Sequence, residues 1–274
     1  MVGILVVATV VVAAAQEKKQ LHFAVQPGAT VTLTNDYGSV AVRGVAGNQV
    51  LVSATPHSAK VEVDGNLSGN RVDLRTRYQE KGSATETAVD YDVQVPSGAA
   101  IIVRTAGGAV KIQNVKGDIT ADSDTGAVDI RDASRGHVRV RTMSGAVTIA
   151  NVKDAHVELT SVSGEATLNS VSGPLVSVTT TGAPVRFTGA CTGGGEYTLA
   201  THSGNIDVTL PATASVDVTA RSVNGSVADG FQLQPDSHPA VATEAGKSFA
   251  GHANSGAASM HLRSFSGKIT VSKQ

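Results

Sequence analysis

Hydrophobic and polar residues alternate along most of this chain, and glycine interrupts the alternation at regular intervals. Five glycines open near-copies of one unit, with steps of 18, 19, 19 and 18 residues between them: Gly108, Gly126, Gly145, Gly164 and Gly182. A second small residue divides each unit, at Gly117, Gly136, Ala155 and Gly173. Alternation at period two predicts strands. A fixed period near 20 residues indicates a solenoid in which each unit is one coil.

The apolar positions two and four after each small residue predict which side chains face the core. They are Val110, Ile112, Ile119, Ala121, Val128, Ile130, Val138, Val140, Val147, Ile149, Val157, Leu159, Ala166 and Leu168. The phase is lost after Gly173, where Val176 and Val178 fall out of step, and after Gly182, where Pro184 delays the next apolar residues. A bulge or a change of register is therefore expected near residues 174–187.

The fold class that follows is all-β, a parallel β-solenoid with two main strands per coil and coils of about 18–22 residues. Right-handed coiling is expected because parallel crossovers are almost always right-handed. Residues 96–274 hold the repeats, with a long loop expected near 230–258, where Pro235, Pro239 and many small residues break the pattern. Residues 16–95 keep the alternation but lose the period, so they are assigned to an N-terminal strand-rich part or cap of the same domain.

Charged residues on the outer positions support stacking of the coils in register. Equivalent residues of neighbouring coils would lie about 4.8 Å apart. Three opposite-charge neighbours then result: Lys111 with Asp129, Asp122 with Arg141, and Arg139 with Glu158. None of these stacks sets like charges side by side, and each opposite pair contributes roughly 0.2–1 kcal/mol.

The N-terminal stretch predicts export. Residues 2–15 are apolar or small apart from Thr9, and they end in Ala13-Ala14-Ala15 before Gln16. Small residues at this place are typical of a signal-peptidase site, so residues 1–15 are predicted to be a signal peptide cleaved after Ala15. The stretch is too short to span a bilayer comfortably, although it lacks a basic residue before the apolar run. The alternative is a buried first strand. The favoured interpretation places the chain in the periplasm or on the cell surface, with no membrane span after cleavage.

Composition excludes some functions. The net charge is −1, so no basic field favours nucleic acid. A single cysteine, Cys191, forms no internal disulfide and is expected to be a small, partly buried filler. The sequence has no Gly-x-Ser-x-Gly elbow, phosphate-binding loop, His-Glu-x-x-His motif or paired cysteines. The glycine run at 193–195 is expected to be a turn and not a phosphate cradle.

Two groups of polar residues are candidate sites. Asp122, Asp124, Asp129 and Asp132 are close in sequence. They suggest either a Ca²⁺ site or the acidic centre of a polysaccharide lyase, but calcium-binding solenoids repeat their aspartate turn and this one does not recur. Asp118, His137 and His156 occupy equivalent places and should stack on one outer edge, where a metal ladder is the alternative to a solvated surface. The solvated interpretation is favoured for both groups, so no catalytic, cofactor or metal site is predicted.

Several segments resemble a known family. Val95-Pro-Ser-Gly-Ala-Ala-Ile-Ile-Val is similar to Leu210-Pro-Ala-Thr-Ala-Ser-Val-Asp-Val. With the Ser/Thr-Gly-x-Val-x-Ile coils and the closing Leu262-Arg-Ser-Phe-Ser-Gly-Lys-Ile-Thr-Val, they resemble the "putative adhesin" domain family of bacterial exported proteins over residues 28–272. The family's motifs are structural and carry no catalytic residue across.

The resemblance implies an exported, non-enzymatic, adhesin-like module of the cell envelope or surface that acts as a structural element or binds a protein or glycan partner. The alternative is a carbohydrate-binding or polysaccharide-lyase-like β-helix protein. That alternative is weaker because the chain has no Trp and its four Tyr residues are expected to be spread across distant coils.

Overall fold

The computed structural model describes residues 18–236 and 244–274. Within these ranges the chain forms strands and no helix, and so no helix there can cross a membrane. The strands in chain order are β1 (Lys19–Ala24), β2 (Thr30–Thr34), β3 (Val40–Val45), β4 (Gln49–Pro56), β5 (Val61–Ser68), β6 (Arg71–Tyr78), β7 (Val89–Pro96), β8 (Ala100–Thr105), β9 (Val110–Gln113), β10 (Ile119–Ser123), β11 (Val128–Arg131), β12 (His137–Thr142), β13 (Val147–Val152), β14 (His156–Ser161), β15 (Ala166–Val171), β16 (Leu175–Thr180), β17 (Val185–Thr188), β18 (Glu196–Thr201), β19 (Ile206–Leu210), β20 (Val216–Ser222), β21 (Val227–Asp229), β22 (Gln234–Pro235), β23 (Ser248–Ala253), β24 (Ala258–Ser264) and β25 (Ile269–Lys273).

The described strands form two long, mostly parallel sheets, which confirms the predicted solenoid class. Each regular coil gives one strand to each sheet. In one sheet β12 pairs in parallel with β10 and β14, and in the other β13 pairs in parallel with β11 and β15. The pairing is in register, so that Val147 lies beside Val128 and Ala166.

The core lies between the two sheets and is filled as the alternation predicts. All fourteen side chains predicted to face inward are at most 2 % exposed. Residues between them, such as Thr148, lie on the outer faces of the sheets. Because β-branched residues suit a half-buried strand surface, the Val- and Ile-rich pattern favours this architecture.

The bulge predicted near residues 174–187 is wrong. β16 pairs with β14 without interruption, and β17 does the same with β15. Val176 and Val178 are fully buried. The prediction takes a small residue, usually glycine, as the corner residue of each half-coil. In the structure Pro174 directly precedes β16, as Ala155 directly precedes β14. In the same way Ala183 precedes β17 by two residues, as Gly164 precedes β15. The coil keeps its length, and only the assigned corner residues shift by one.

Spatial order differs from chain order at both ends of the solenoid. β2 lies between β6 and β8, while β3 lies between β7 and β9. At the other end β24 lies between β18 and β20, and β25 lies between β19 and β21. The first and the last parallel coils in the sequence are therefore each one layer inside the stack.

Antiparallel strands cover both ends. β4 and β5 pair with β7 and β6 at the N-terminal end, and β23 pairs with β20 at the C-terminal end. Covering an edge strand satisfies backbone groups that would otherwise be open to another chain. The loop expected near 230–258 therefore needs correction, because it contains β22 and β23. The apolar residues of β23 are mostly small (Ala250 and Ala253 are buried), which gives a weak hydrophobic signal. Residues 237–243 of that loop lie outside the described residues.

Buried hydroxyl groups close one corner of each coil. The column comprises Ser123, Thr142, Ser161, Thr180, Thr201, Ser222 and Ser264, all at most 7 % exposed. The Ser161 hydroxyl donates to the Gly164 carbonyl at 2.7 Å, and the Gly145 N–H donates to the Thr142 hydroxyl at 2.9 Å. Buried backbone groups at a corner need such partners. These Ser and Thr residues, which lie three positions before the corner residue, therefore have a structural role.

Candidate functional site

The predicted edge of Asp118, His137 and His156 forms as expected. The three residues occupy one column: Asp118 directly precedes β10, and His137 and His156 are paired on β12 and β14. The His137 N–H donates to the Asp118 carboxylate at 2.9 Å. The two imidazole rings lie 4.6 Å apart between centroids, and His137 Nε2 is 2.7 Å from His156 Nδ1. The rings therefore share a hydrogen bond, so one nitrogen of each ring is directed at its neighbour and away from solvent.

This edge presents an exposed imidazole pair. Within residues 18–236 and 244–274, no group of three or more His, Cys, Asp or Glu side chains is arranged to hold a metal ion. A structural zinc site needs four ligands and a catalytic one needs three. The Asp118 carboxylate is already a hydrogen-bond acceptor for the backbone of the next strand, which is a structural use of this side chain.

The four aspartates that are close in sequence are distributed over both sheets and two turns, with Asp124 in the turn after β10. Asp122 is on β10 in one sheet and lies 3.7 Å from Arg104. Asp129 is on β11 in the other sheet and forms an ion pair with Arg131 at 2.8 Å. Asp132 has a positive φ of 55° at a turn, a conformation that Asp tolerates better than most residues. The structure places Asp122 and Asp129 in different sheets and so does not bring these two carboxylates together.

The predicted charge neighbours are adjacent in the sheets, but within the described residues only one of the three predicted pairs forms an ion pair. Arg139 and Glu158 form this ion pair at 2.9 Å across neighbouring strands. Asp122 pairs with Arg104 and Asp129 pairs with Arg131 instead.

Cys191 is partly buried against the core, and burial raises the pKa of its thiol to about 12. A thiol with so high a pKa is almost entirely protonated at neutral pH and is a poor nucleophile. The glycine run at 193–195 forms a turn closed by the Gly195 N–H and the Thr192 carbonyl at 2.9 Å.

An exposed apolar ridge, which the sequence analysis missed, runs along the corner that follows the strands of the thirteen-stranded sheet. We define the ridge by Met143, Val162, Thr181, His202, Phe265 and Val223, in spatial order. Met143 is 60 % exposed, and Val162, Phe265 and Val223 are 44–49 % exposed. The rings of His202 and Phe265 stack with centroids 4.9 Å apart. Six coils at about 4.8 Å make a ridge roughly 24 Å long.

Unpaired arginines border this ridge. Arg141, Arg221 and Arg263 each lie two residues before a ridge residue and are exposed. None of the three has an ion-pair partner in the described part of the chain. The local sequences Arg141-Thr-Met-Ser-Gly, Arg221-Ser-Val-Asn-Gly and Arg263-Ser-Phe-Ser-Gly share a basic residue, a hydroxyl and an apolar residue before the corner glycine. This recurrence is visible in the sequence and could have indicated the ridge. The alternation of apolar and polar residues alone assigns the apolar residue to a turn.

A cleft with two tyrosines, also missed, lies at the N-terminal end of the same corner. Tyr37 belongs to the turn between β2 and β3, and Tyr78 ends β6. The Tyr78 hydroxyl donates to the Asp36 carboxylate at 2.5 Å. Partial burial and the neighbouring Asp36 charge raise the pKa of Tyr78 above its ordinary value, so the hydroxyl stays protonated. Tyrosines that are distant in the sequence are thus neighbours here.

The fold defines a class, a two-sheeted, mostly parallel solenoid. Residues 30–272 match the family Toastrack DUF4097, so the chain belongs to that family. This confirms the adhesin-like family resemblance expected from the sequence. No curated protein matches the chain.

Two solved structures are similar to this chain. One is a putative cell adhesion protein from Clostridium sporogenes ATCC 15579, with 11 % identity over 94 % of this chain and 100 % of that chain, and a TM-score of 0.30. The other is a putative adhesin from Bacteroides fragilis NCTC 9343, with 11 % identity over 94 % of this chain and 97 % of that chain, and a TM-score of 0.37.

Proposed function

We propose that this protein is an exported, non-enzymatic, adhesin-like module of the cell envelope that binds an acidic protein partner through the apolar ridge. The observation that carries the proposal is the ridge itself. Most large hydrophobic residues of the described chain are buried, yet four of the exposed ones, Met143, Val162, Phe265 and Val223, share one column. They form two pairs along the column, Met143 with Val162 and Phe265 with Val223, separated by Thr181 and His202. Exposed apolar patches rimmed by polar residues are typical of protein interaction sites.

The chemistry of the partner follows from the border of the ridge. Arg141, Arg221 and Arg263 place three positive charges along one side. Arginine forms bidentate hydrogen bonds with carboxylates, and opposite charges across an interface speed association and select the partner. A partner with apolar side chains flanked by Asp or Glu fits this surface. Arginine is one of the residue types that most often dominate binding energy, and phenylalanine is enriched at protein interfaces.

The non-enzymatic part of the proposal is supported by the use made of the polar residues. The buried hydroxyls close corners, several charged side chains form ion pairs between or along strands, and the thiol of Cys191 is protonated. Catalysis needs a nucleophile, a base and an orienting group in mutual reach. Among the aspartates and histidines of the described chain, Asp90 pairs with His57, Asp236 pairs with His252, and His137 pairs with His156.

Site-specific photo-crosslinking in intact cells tests the ridge. A benzophenone amino acid at position 143 is expected to give a discrete adduct with an acidic protein. The same probe at Asn169, exposed on the outer face of the other sheet, is the matched control and should give none. Arg221→Glu with Arg263→Glu should lower the adduct yield at least about tenfold, because each lost contact of this kind is worth on the order of 1.4 kcal/mol.

The crosslinking result contradicts the proposal in two cases. Either position 169 gives the same adduct as position 143, or the adduct survives the two charge reversals unchanged.

Export is tested separately on the full chain. Cleavage after Ala15 should leave Gln16 as the mature N-terminus, because small residues end the apolar stretch there. Intact-mass analysis of protein from a periplasmic or surface fraction should show the loss of residues 1–15. Protein that keeps these residues in the cytoplasmic fraction would contradict export while leaving the ridge test unaffected.

A further inference from the structure

The cleft at the N-terminal end of the corner has a volume of about 590 Å³, within the range of small-molecule sites. One wall is the turn that carries Asp36 and Tyr37. The other is the segment from Tyr78 to Gly82 that leaves β6. The two walls come from coils that are neighbours only because β2 lies beside β6 in the sheet.

Buried hydrogen bonds hold the first wall in place. Asn35 is fully buried, and its amide donates to the Val89 carbonyl at 2.8 Å. The Thr76 hydroxyl donates to the Asn35 side-chain oxygen at 2.8 Å and lies 2.9 Å from the Tyr91 hydroxyl. A buried polar network with every member paired fixes one conformation. The turn carrying Asp36 and Tyr37 is therefore set before any ligand arrives.

The second wall is held from outside the cleft. The Gln79 N–H donates to the Lys60 carbonyl at 2.7 Å, and the Gln79 amide donates to the Glu62 carboxylate at 2.7 Å. Further along, Glu86 forms an ion pair with Lys60 and accepts hydrogen bonds from Ser83, which lowers the pKa of Glu86 to about 2. A wall ordered in advance reduces the entropy that binding would otherwise cost.

The cleft groups that remain free to bind a ligand are an aromatic face, a carboxylate and an ammonium, which are suited to binding a sugar. The Tyr78 ring is 45 % exposed beside Tyr37. An aromatic ring offers a flat apolar face, which matches the apolar C–H face of a pyranose ring. Glu80 and Lys81 are exposed and have no ion-pair partner in the described part of the chain. A carboxylate accepts and an ammonium donates hydrogen bonds, so together they can bind vicinal hydroxyl groups.

We propose that this cleft binds a neutral saccharide of one or two pyranose units. Charge selects the class, because the lining carries two carboxylates, Asp36 and Glu80, against one ammonium, Lys81. Acidic sugars are therefore disfavoured. The site goes beyond the protein-binding ridge and lies on different coils, since β8 and β10 separate Asp36 from Met143 along the corner.

Saturation-transfer difference NMR on the mature chain tests the site with three probes. Cellobiose and N,N′-diacetylchitobiose are the neutral disaccharides, and digalacturonic acid is the acidic one. We expect saturation transfer to both neutral probes at millimolar concentration and little to the acidic one. Amide shift changes should be confined to residues 36–37 and 78–82. Tyr78→Ala should weaken binding at least about tenfold. Leu67→Ala, at an exposed hydrophobic residue outside both the cleft lining and the ridge, should leave it unchanged.

A second variant keeps the test decisive if Tyr78→Ala disturbs the fold, which its melting temperature reports. Glu80→Lys leaves the walls intact and changes the lining charge from one excess negative to one excess positive. It should admit digalacturonic acid. No saturation transfer to either neutral probe, equal binding by Tyr78→Ala with an unchanged melting temperature, or shift changes elsewhere on the chain would each overturn the proposal. None of these outcomes affects the ridge, which is tested by crosslinking.

Discussion

Replacing Ile149 with alanine is expected to lower the free energy of unfolding by about 2–5 kcal/mol, because the substitution opens a cavity between the two sheets. Ile149 is fully buried and lies between Ile130 and Leu168 of the neighbouring coils. Coils flank it on both sides, so the surroundings have little freedom to collapse into the space. Equilibrium denaturation monitored by far-ultraviolet circular dichroism measures the change.

Thr148→Ala is the matched control for this substitution. Thr148 is the preceding residue on β13, but it lies on the outer face between Asp129 and Thr167. Removing its hydroxyl and methyl groups should change the free energy of unfolding by less than about 0.5 kcal/mol. Equal losses of stability in the two variants would mean that the assignment of inward and outward positions along this strand is incorrect.

The regular part of the fold could be predicted from the sequence because one physical constraint recurs in every coil. Each strand buries alternate side chains, and the corner needs a small residue. The prediction failed by one residue where Pro174 and Ala183 take corner places that glycine takes elsewhere, since a search for glycine finds Gly173 and Gly182 first. The burial of Val176 and Val178 corrects the phase.

The ends of the solenoid were harder to predict because alternation does not record the order of coils. No local sequence feature distinguishes a strand that stacks on the preceding strand of its sheet from one inserted between two other coils, as β2 and β24 are. The antiparallel strands at both ends have the same period-two pattern as the parallel ones. Pairing direction depends on long-range contacts, and a single sequence does not show them.

The candidate sites show the same contrast between the periodic coils, which could be predicted, and the end coils, which could not. The stacked Asp118, His137 and His156 were predicted, because all three lie in the periodic region where register follows from spacing. Tyr37 and Tyr78 are 41 residues apart and meet only because β2 and β6 are neighbours. In the sequence, the argument against sugar binding depended on the four tyrosines being distant from one another. The topology of the end coils brings two of the four together and removes that objection for this pair.

Replacing Gly164 with alanine is expected to destabilise the solenoid by about 1–3 kcal/mol, because the added methyl group would overpack the corner. A Cβ atom at Gly164 would lie 2.0 Å from the Gly145 carbonyl oxygen and 2.6 Å from its carbon. Both atoms belong to the backbone of the coil below, so the clash is relieved only if that coil moves. Thermal unfolding of the two proteins under the same conditions measures the loss.

Gly182→Ala is the control that separates this packing effect from the general cost of changing a corner glycine. The sequence pattern treats Gly164 and Gly182 as equivalent, but the structure places Ala183, not Gly182, in the Gly164 column. A Cβ atom at Gly182 would meet nothing closer than 3.8 Å. Its backbone φ also lies outside the left-handed region, so alanine adopts it without strain. Gly182→Ala should therefore leave the melting temperature unchanged or slightly raised. If both variants lose stability equally, the glycine positions in the repeat are required for a reason other than the close approach of successive coils.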